Sequence, residues 1–209
     1  EYNKLYSEIY DKATKTNLMA KYHELGTPKN VLPLNKINAL PSYNLKQSNY
    51  EYADKISGEA FAEEVLARKV SCSGCPIGCV HVGGLRKLFD AGYEYEYAGV
   101  SYDHELVFSL GSQVGMKNTS DVLNLINETE EVGLDAISCG VILGFMTEAL
   151  VRGDIKITDT LVELNFGETA GYLAAIRHLA SPPNDFYREI GRGLYSYTRK
   201  KADGSHDYA

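Results

Sequence analysis

The chain has 209 residues and a formal net charge of −7, from 21 basic against 28 acidic side chains, with no basic stripe; this argues against a nucleic-acid partner. Four cysteines are too few for a disulfide scaffold at this length, and no stretch reaches the roughly 18 to 20 apolar residues of a membrane span. The length allows a real core, and the clustered thiols favour a metal or redox site in a reducing compartment. The chain begins with Glu1 rather than Met, carries no signal-peptide pattern and reads as an excised piece of a larger protein. Sixteen tyrosines against no tryptophan support that reading, because tyrosine suits interfaces and half-buried helix surfaces.

Residues 2–25 read as one helix, with Tyr2, Leu5, Tyr6 and Ile9 on one face, extended by Leu18, Tyr22 and Leu25 and stopped at Gly26-Thr27-Pro28. Residues 27–50 show no helical period. Pro33, Pro41 and several asparagines make them a long irregular segment, of the kind that lies over a surface or lines a site. Ser57 caps a helix predicted to reach Lys69, with Ala60, Phe61, Val65 and Leu66 inward. A cysteine loop over 70–84 follows, with Gly83 and Gly84 breaking the chain. Leu85 to Phe89 is too short to assign, and Tyr93, Tyr95 and Tyr97 alternate with glutamates as in a strand.

Glu105 to Val114 reads as a helix. Thr119 or Ser120 caps another, carrying Val122, Leu125, Ile126 and Thr129 on one face and ending at Gly133. Residues 138–151 read as a helix whose run 141–146 is apolar nearly all round, the mark of a helix enclosed by protein. Glu168 to Ala180 and Asn184 to Thr198 are two further amphipathic helices, and the polar tail from Arg199 is expected to fray. The fold class expected is therefore all-α: an irregular multihelical bundle, one helical domain over 1–209, with one long irregular segment.

The chemistry concentrates in Cys72-Ser73-Gly74-Cys75-Pro76-Ile77-Gly78-Cys79. Soft thiolates select zinc, copper(I) or iron–sulfur clusters over magnesium or calcium. Gaps of two and three residues let three thiolates turn toward one centre, and a proline beside a ligand cysteine is common in bacterial clusters. The favoured reading is a [4Fe-4S] segment. A Cys3His zinc site completed by His81, and a metal-free disulfide plus a spare thiol, are the alternatives. Cys139, at the start of the apolar helix, reads as a small buried hydrophobe. His23, His178 and His206 read as surface, helix-flank or tail residues, and Arg68 and Lys69 as a solvated face.

With these segments placed, the chain resembles the tungstopterin aldehyde:ferredoxin oxidoreductases. Leu40-Pro41-Ser42-Tyr43-Asn44 is similar to the family's Leu-Pro-Thr-Arg-Asn segment, with Tyr43 in place of the arginine. The Cys72/Cys75/Cys79 triplet with its Pro-Ile-Gly is similar to the cluster motif. Asp103-His104-Glu105, followed by Phe108 to Gly111, is similar to the family's Glu-Tyr-Glu segment and Leu-Gly step. Glu130-Glu131-Val132-Gly133-Leu134-Asp135 is similar to the Asp-x-x-Gly-Leu-Asp pterin motif, opened here by Glu.

The resemblance implies Cys72, Cys75 and Cys79 as cluster ligands, and Glu130, Gly133, Leu134 and Asp135 as pterin-binding residues. It implies Glu105 as a catalytic carboxylate. The fourth cluster cysteine of the family lies in a second pterin motif that this chain does not contain, and Cys139 does not match it. The middle helical part of an enzyme oxidising aldehydes to carboxylic acids is thus implied, inactive alone. Its cofactors would be a [4Fe-4S] cluster and tungstopterin, neither complete in this piece. Its partners would be ferredoxin, the remaining domains of the parent enzyme and a small aldehyde, with a homodimer left open. The competing expectation is a zinc-binding structural or helical protein-interaction module.

Overall fold

The structure is a computed structural model and describes residues 1–90 and 94–200. More than half of the described residues are helical, in eleven α-helices and three short 3-10 turns, around a small antiparallel sheet. The fold is predominantly helical and not purely all-α. The expected strand residue Tyr93, the tail histidine His206 and the tail from residue 201 lie outside the described residues.

The first expected helix is two: α1 (Tyr2–Thr14) and α2 (Asn17–Leu25). The break falls where the Thr16 hydroxyl accepts the Met19 N–H at 3.1 Å, restarting the helix as an N-cap. The stripe on α1 does not enter the core: Tyr2 is 77% exposed, and Leu5, Tyr6 and Ile9 are exposed beside it. Residues 27–50 are less irregular than expected, with a 3-10 turn at Thr27–Asn30 leading into α3 (Val31–Lys36). From Ile37 onward the segment is irregular.

Ser57 caps α4 (Gly58–Glu64), accepting the Ala60 N–H at 3.2 Å, but α4 stops five residues short of Lys69. Leu66 to Val70 is instead strand β1, paired with β2 (Val80–Asp90), which pairs with β3 (Glu94–Tyr102) in the order β1-β2-β3. Val70 lies opposite Val80, so the cysteine segment is the connection of a β-hairpin closed at its base. The expected 70–84 loop shrinks to 71–79. Gly83 and Gly84 do not break the chain. A Cβ on Gly83 would meet Leu123 Cδ1 at 2.7 Å, so glycine there lets α6 (Thr119–Glu131) press against the sheet.

The expected 105–114 helix is α5 (His104–Ser109) followed by a 3-10 turn at Ser112–Val114. The cap of α6 is Asn118, one residue before the expected position, and its side chain accepts the Asp121 N–H at 2.8 Å. α7 (Ala136–Arg152) is the enclosed helix expected from its composition. Leu143, Phe145, Met146 and Ala149 are fully buried, each large side chain contributing about 1.5–3 kcal/mol. A short α8 (Ile157–Thr160) precedes α9 (Thr169–Ala180). The last expected helix is two, α10 (Asp185–Ile190) and α11 (Leu194–Lys200), separated at Gly191–Gly193. No helix among the described residues is by itself long and apolar enough to cross a membrane.

Candidate functional site

The cysteine loop leaves β1 at Val70 and returns at Val80. Inside it the Cys75 N–H donates to the Cys72 carbonyl at 3.0 Å, a tight turn that puts the first two thiols on one bend. Gly74 and Gly78 take left-handed φ values of +72° and +66°, where a side chain would be strained. All four cysteines are free thiols: Cys72 exposed, Cys75 and Cys79 half-buried, Cys139 buried. Among the described residues no three His, Cys, Asp or Glu side chains converge on one point. The donor set still fits part of an iron–sulfur cluster: three soft, accessible thiols on one glycine-hinged hairpin turn. It does not close a cluster, because the fourth thiol, Cys139, is 2% exposed on α7, where burial pushes its pKa up to about 12.

Two histidines, one read from the sequence as a surface residue and the other as the alternative zinc ligand, hold this loop. His23 on α2 donates Nδ1–H to the Ile77 carbonyl at 2.8 Å. His81, fully buried on β2, donates Nε2–H to the His23 carbonyl at 3.0 Å, and its Nδ1 lies 3.4 Å from the Tyr102 hydroxyl. Burial holds the His81 pKa below the usual histidine range. Both of its ring nitrogens therefore already have partners inside the protein, which leaves none for a zinc ion. Arg68 and Lys69 are exposed on β1, as a solvated face requires.

Glu130 to Asp135 forms the corner between α6 and α7. The Gly133 N–H donates to the Glu130 carbonyl at 3.1 Å and the Leu134 N–H to the Thr129 carbonyl at 3.1 Å, a Schellman pair that needs the +73° φ of Gly133. Asp135 then caps α7, accepting the Ser138 N–H at 2.7 Å. Hydrogen bonds from Ser138, its side chain first and then its backbone, hold the Asp135 carboxyl below the usual range.

Two hollows flank this corner. One of about 430 Å³ is lined by Val100, Ser101, Asp103, Leu106 and Glu130 among others. A smaller one of about 160 Å³ is lined by Leu134, Asp135, Cys139 and Ile142 among others. The structure thus brings Glu130 together with Asp103, and Leu134 with Asp135, in separate hollows. Glu105 lines neither. It is exposed in the first turn of α5, which Asp103 caps through the Leu106 N–H at 3.0 Å. One turn later on the same face, Ser109 donates its hydroxyl to the Ala136 carbonyl at 3.3 Å, so α5 is docked on the start of α7.

The segment similar to Leu-Pro-Thr-Arg-Asn is strained. Tyr43, Asn44 and Leu45 all have positive φ, each costing about 1–3 kcal/mol in a non-glycine residue. Backbone bonds from Tyr43 N–H to the Ser112 carbonyl (3.1 Å) and from Asn44 N–H to the Gln113 carbonyl (3.0 Å) hold it. The Asn44 side chain donates to buried Glu148 at 2.8 Å, tying the segment to α7. Lys46 supplies a positive charge 3.3 Å from Glu148. Glu148, a charge within an apolar helix, is a residue that sequence reasoning passed over. A buried carboxylate needs a partner, and that requirement was the available signal.

The family model described as aldehyde ferredoxin oxidoreductase, domains 2 and 3, matches residues 4–209. The tungsten-containing aldehyde ferredoxin oxidoreductase of Pyrococcus furiosus is 34% identical over 131 residues, covering 63% of this chain and 20% of the relative. An aliphatic sulfonate oxidoreductase, WOR-like subunit, of the same organism is 28% identical over 150 residues, covering 71% of this chain and 23% of the relative. In fold, the chain is similar to the active-site complex BamBC of benzoyl coenzyme A reductase, with a TM-score of 0.62 at 17% identity, over 88% of this chain and 27% of that one. The chain spans about a fifth of the length of the curated relatives it matches. With the family model matched over almost the whole chain, the chain belongs to the aldehyde ferredoxin oxidoreductase family.

Proposed function

We propose that this chain is the helical part of a tungstopterin and iron–sulfur oxidoreductase that converts an aldehyde and water to a carboxylic acid, releasing two electrons and two protons. The observation that carries the reading is the family match over residues 4–209, with three free thiols of cluster spacing on a single hairpin turn inside it. Cys72, Cys75 and Cys79 would hold three corners of a [4Fe-4S] cluster, the remaining ligand coming from outside this chain. When bound, the tungstopterin supplies the two-electron oxidation and the cluster a one-electron path to ferredoxin.

The chain's own residues do the rest. The corner at Glu130, Gly133, Leu134 and Asp135 presents carboxylates and turned backbone to the amino groups of the pterin. Glu105 takes the proton from the hydroxyl of the hydrated aldehyde as its carbon becomes a carboxyl carbon. Being exposed, Glu105 reaches substrate only where other domains of the parent enzyme cover it, and this chain alone has no turnover. Thiolate ligation and a ferredoxin acceptor are both consistent with a reducing cytoplasm for the parent protein.

Two measurements test this. Anaerobic reconstitution of the full-length protein with iron and sulfide should give a broad visible absorption band that Cys75→Ser abolishes. A colourless protein holding stoichiometric zinc would instead support a structural zinc module. In the full-length enzyme, Glu105→Gln should keep both cofactors and lower turnover by roughly 10²-fold or more. Unchanged turnover with both cofactors in place would remove Glu105 from the reaction.

A further inference from the structure

We infer that His23 is the positioning residue of the cysteine loop: its hydrogen bond to the Ile77 carbonyl fixes the Ile77–Gly78 peptide and so the place of Cys79. A carbonyl oxygen only accepts, so the Nδ1 of His23, 2.8 Å away, carries the proton. In a trans peptide the C=O and the following N–H point in opposite directions. With the Ile77 carbonyl held toward α2, the Gly78 N–H is turned to the other side of the loop. Gly78 fits this arrangement twice over. Its φ of +66° is left-handed, and a Cβ there would lie 3.1 Å from His23 Nδ1.

His23 is held in turn. Its own carbonyl accepts Nε2–H of buried His81, and that ring is braced edge-on by Tyr102 at 5.9 Å between centroids. His81 and Tyr102 are directly paired across β2 and β3. The path from sheet to α2 to loop therefore runs Tyr102, His81, His23, Ile77, and its last step crosses 54 residues of sequence. Among the described residues, the Val70–Val80 pair at its base and the Cys72–Cys75 turn within it also fix the nine-residue turn, and Pro76 and Ile77 border a hollow with Tyr10 and Met19.

The loop clamp stands on the geometry alone; its consequence for a cluster rests on the function proposed above. Outer-shell hydrogen bonds orient ligands and tune the potential of iron–sulfur centres. A loop freed at Ile77 should hold Cys79 loosely and leave the direction of the Gly78 N–H unset, shifting the potential.

The test compares His23→Phe, which keeps a ring but has no donor, with His23→Asn, whose side-chain amide can donate from the position of Nδ1. In the metal-free chain, amide hydrogen exchange at residues 77–79 should be about three- to tenfold faster in His23→Phe, the weight of one hydrogen bond, and return in His23→Asn. Gly78→Ala, which attacks the same contact from the loop side, should act like His23→Phe and keeps the test open if that variant does not fold. After anaerobic reconstitution of the full-length protein, the reduction potential should shift in His23→Phe and recover in His23→Asn. Unchanged exchange in folded His23→Phe, or faster exchange with an unmoved potential, overturns the positioning role. If the full-length wild-type protein takes up no iron and sulfide while exchange still rises in His23→Phe, the clamp stands and the cluster reading is what fails.

Discussion

Gly140→Ala is the sharpest test of how α5 is set on α7. A Cβ at residue 140 would lie 2.2 Å from the Ser109 carbonyl oxygen and 2.9 Å from Ser109 Cβ. The first of these is backbone, so no rotamer change relieves it, and the two helices must part by about 1 Å. Overpacking of this kind costs about 2–3 kcal/mol. Parting also breaks the Ser109 hydroxyl bond to the Ala136 carbonyl, about 1 kcal/mol. The better helix propensity of alanine returns about 1 kcal/mol. The net loss is about 2–3 kcal/mol, a fall in Tm of roughly 4–12 °C for a chain of this size. Gly144→Ala, one turn along the same helix, is the control. Its Cβ would meet only the side chains of Asn44 and Gln113, at 3.3–3.4 Å, and its stability should stay within about 1 kcal/mol of wild type. Urea and thermal unfolding of both variants decide the matter. A Gly140→Ala protein as stable as Gly144→Ala would show that the α5–α7 contact is looser than drawn, and with it the placement of Asp103 and Glu105.

At pH 8 a disulfide reagent should modify Cys72, Cys75 and Cys79 in the folded chain and Cys139 only after unfolding, because Cys139 is buried and its pKa is pushed up to about 12; a fourth thiol reacting natively at the rate of the others would contradict the packing of α7. Asp135→Ala should cost about 1 kcal/mol as a lost N-cap, whereas Glu130→Ala should stay within about 0.5 kcal/mol, since Glu130 closes the corner with its backbone carbonyl. The Asp135 pKa is lowered on folding, so its contribution is complete above the unfolded value of about 3.9 and is lost as pH falls through the lower folded value. The deficit of Asp135→Ala in urea should therefore narrow on acidification below about pH 4, and a deficit that widens there would reverse the assignment.

The helices were legible where one signal dominated. The 141–146 run is apolar on every face, and only an enclosed helix hides that much surface; Phe145 and Met146 are accordingly fully buried. Ser57, Gly133 and Gly153 act as the caps and stops their chemistry suggests. Of the sheet, β3 was legible in the alternation of Tyr95 and Tyr97 with glutamates, and β1 and β2 were not. β1 reads Leu-Ala-Arg-Lys-Val and carries a bulge between Leu66 and Arg68, and β2 contains Gly83-Gly84, so neither shows a clean period of two. The glycines answer to α6 and to Tyr97, which lie far away in sequence. The α1 stripe misled in the opposite sense, since its helical period is genuine but the face it marks is exposed.

The site divides along the same line. Spacing alone put Cys72, Cys75 and Cys79 on one turn, because a motif within eight residues is a local fact. What holds that turn is non-local: His23 reaches Ile77 from another element, and a lone histidine at a helix end carries no pattern that announces it. The pterin-type motif shows why resemblance and structure must be read together. Gly133 and Asp135 are already needed to end one helix and begin the next, so finding them there cannot by itself distinguish a cofactor contact from a corner. Glu130 can make that distinction. Glu130 lines the hollow shared with Asp103, while the corner uses its main-chain carbonyl. A ligand role assigned to Glu130 can therefore be tested without disturbing the turn, which is not true of Asp135.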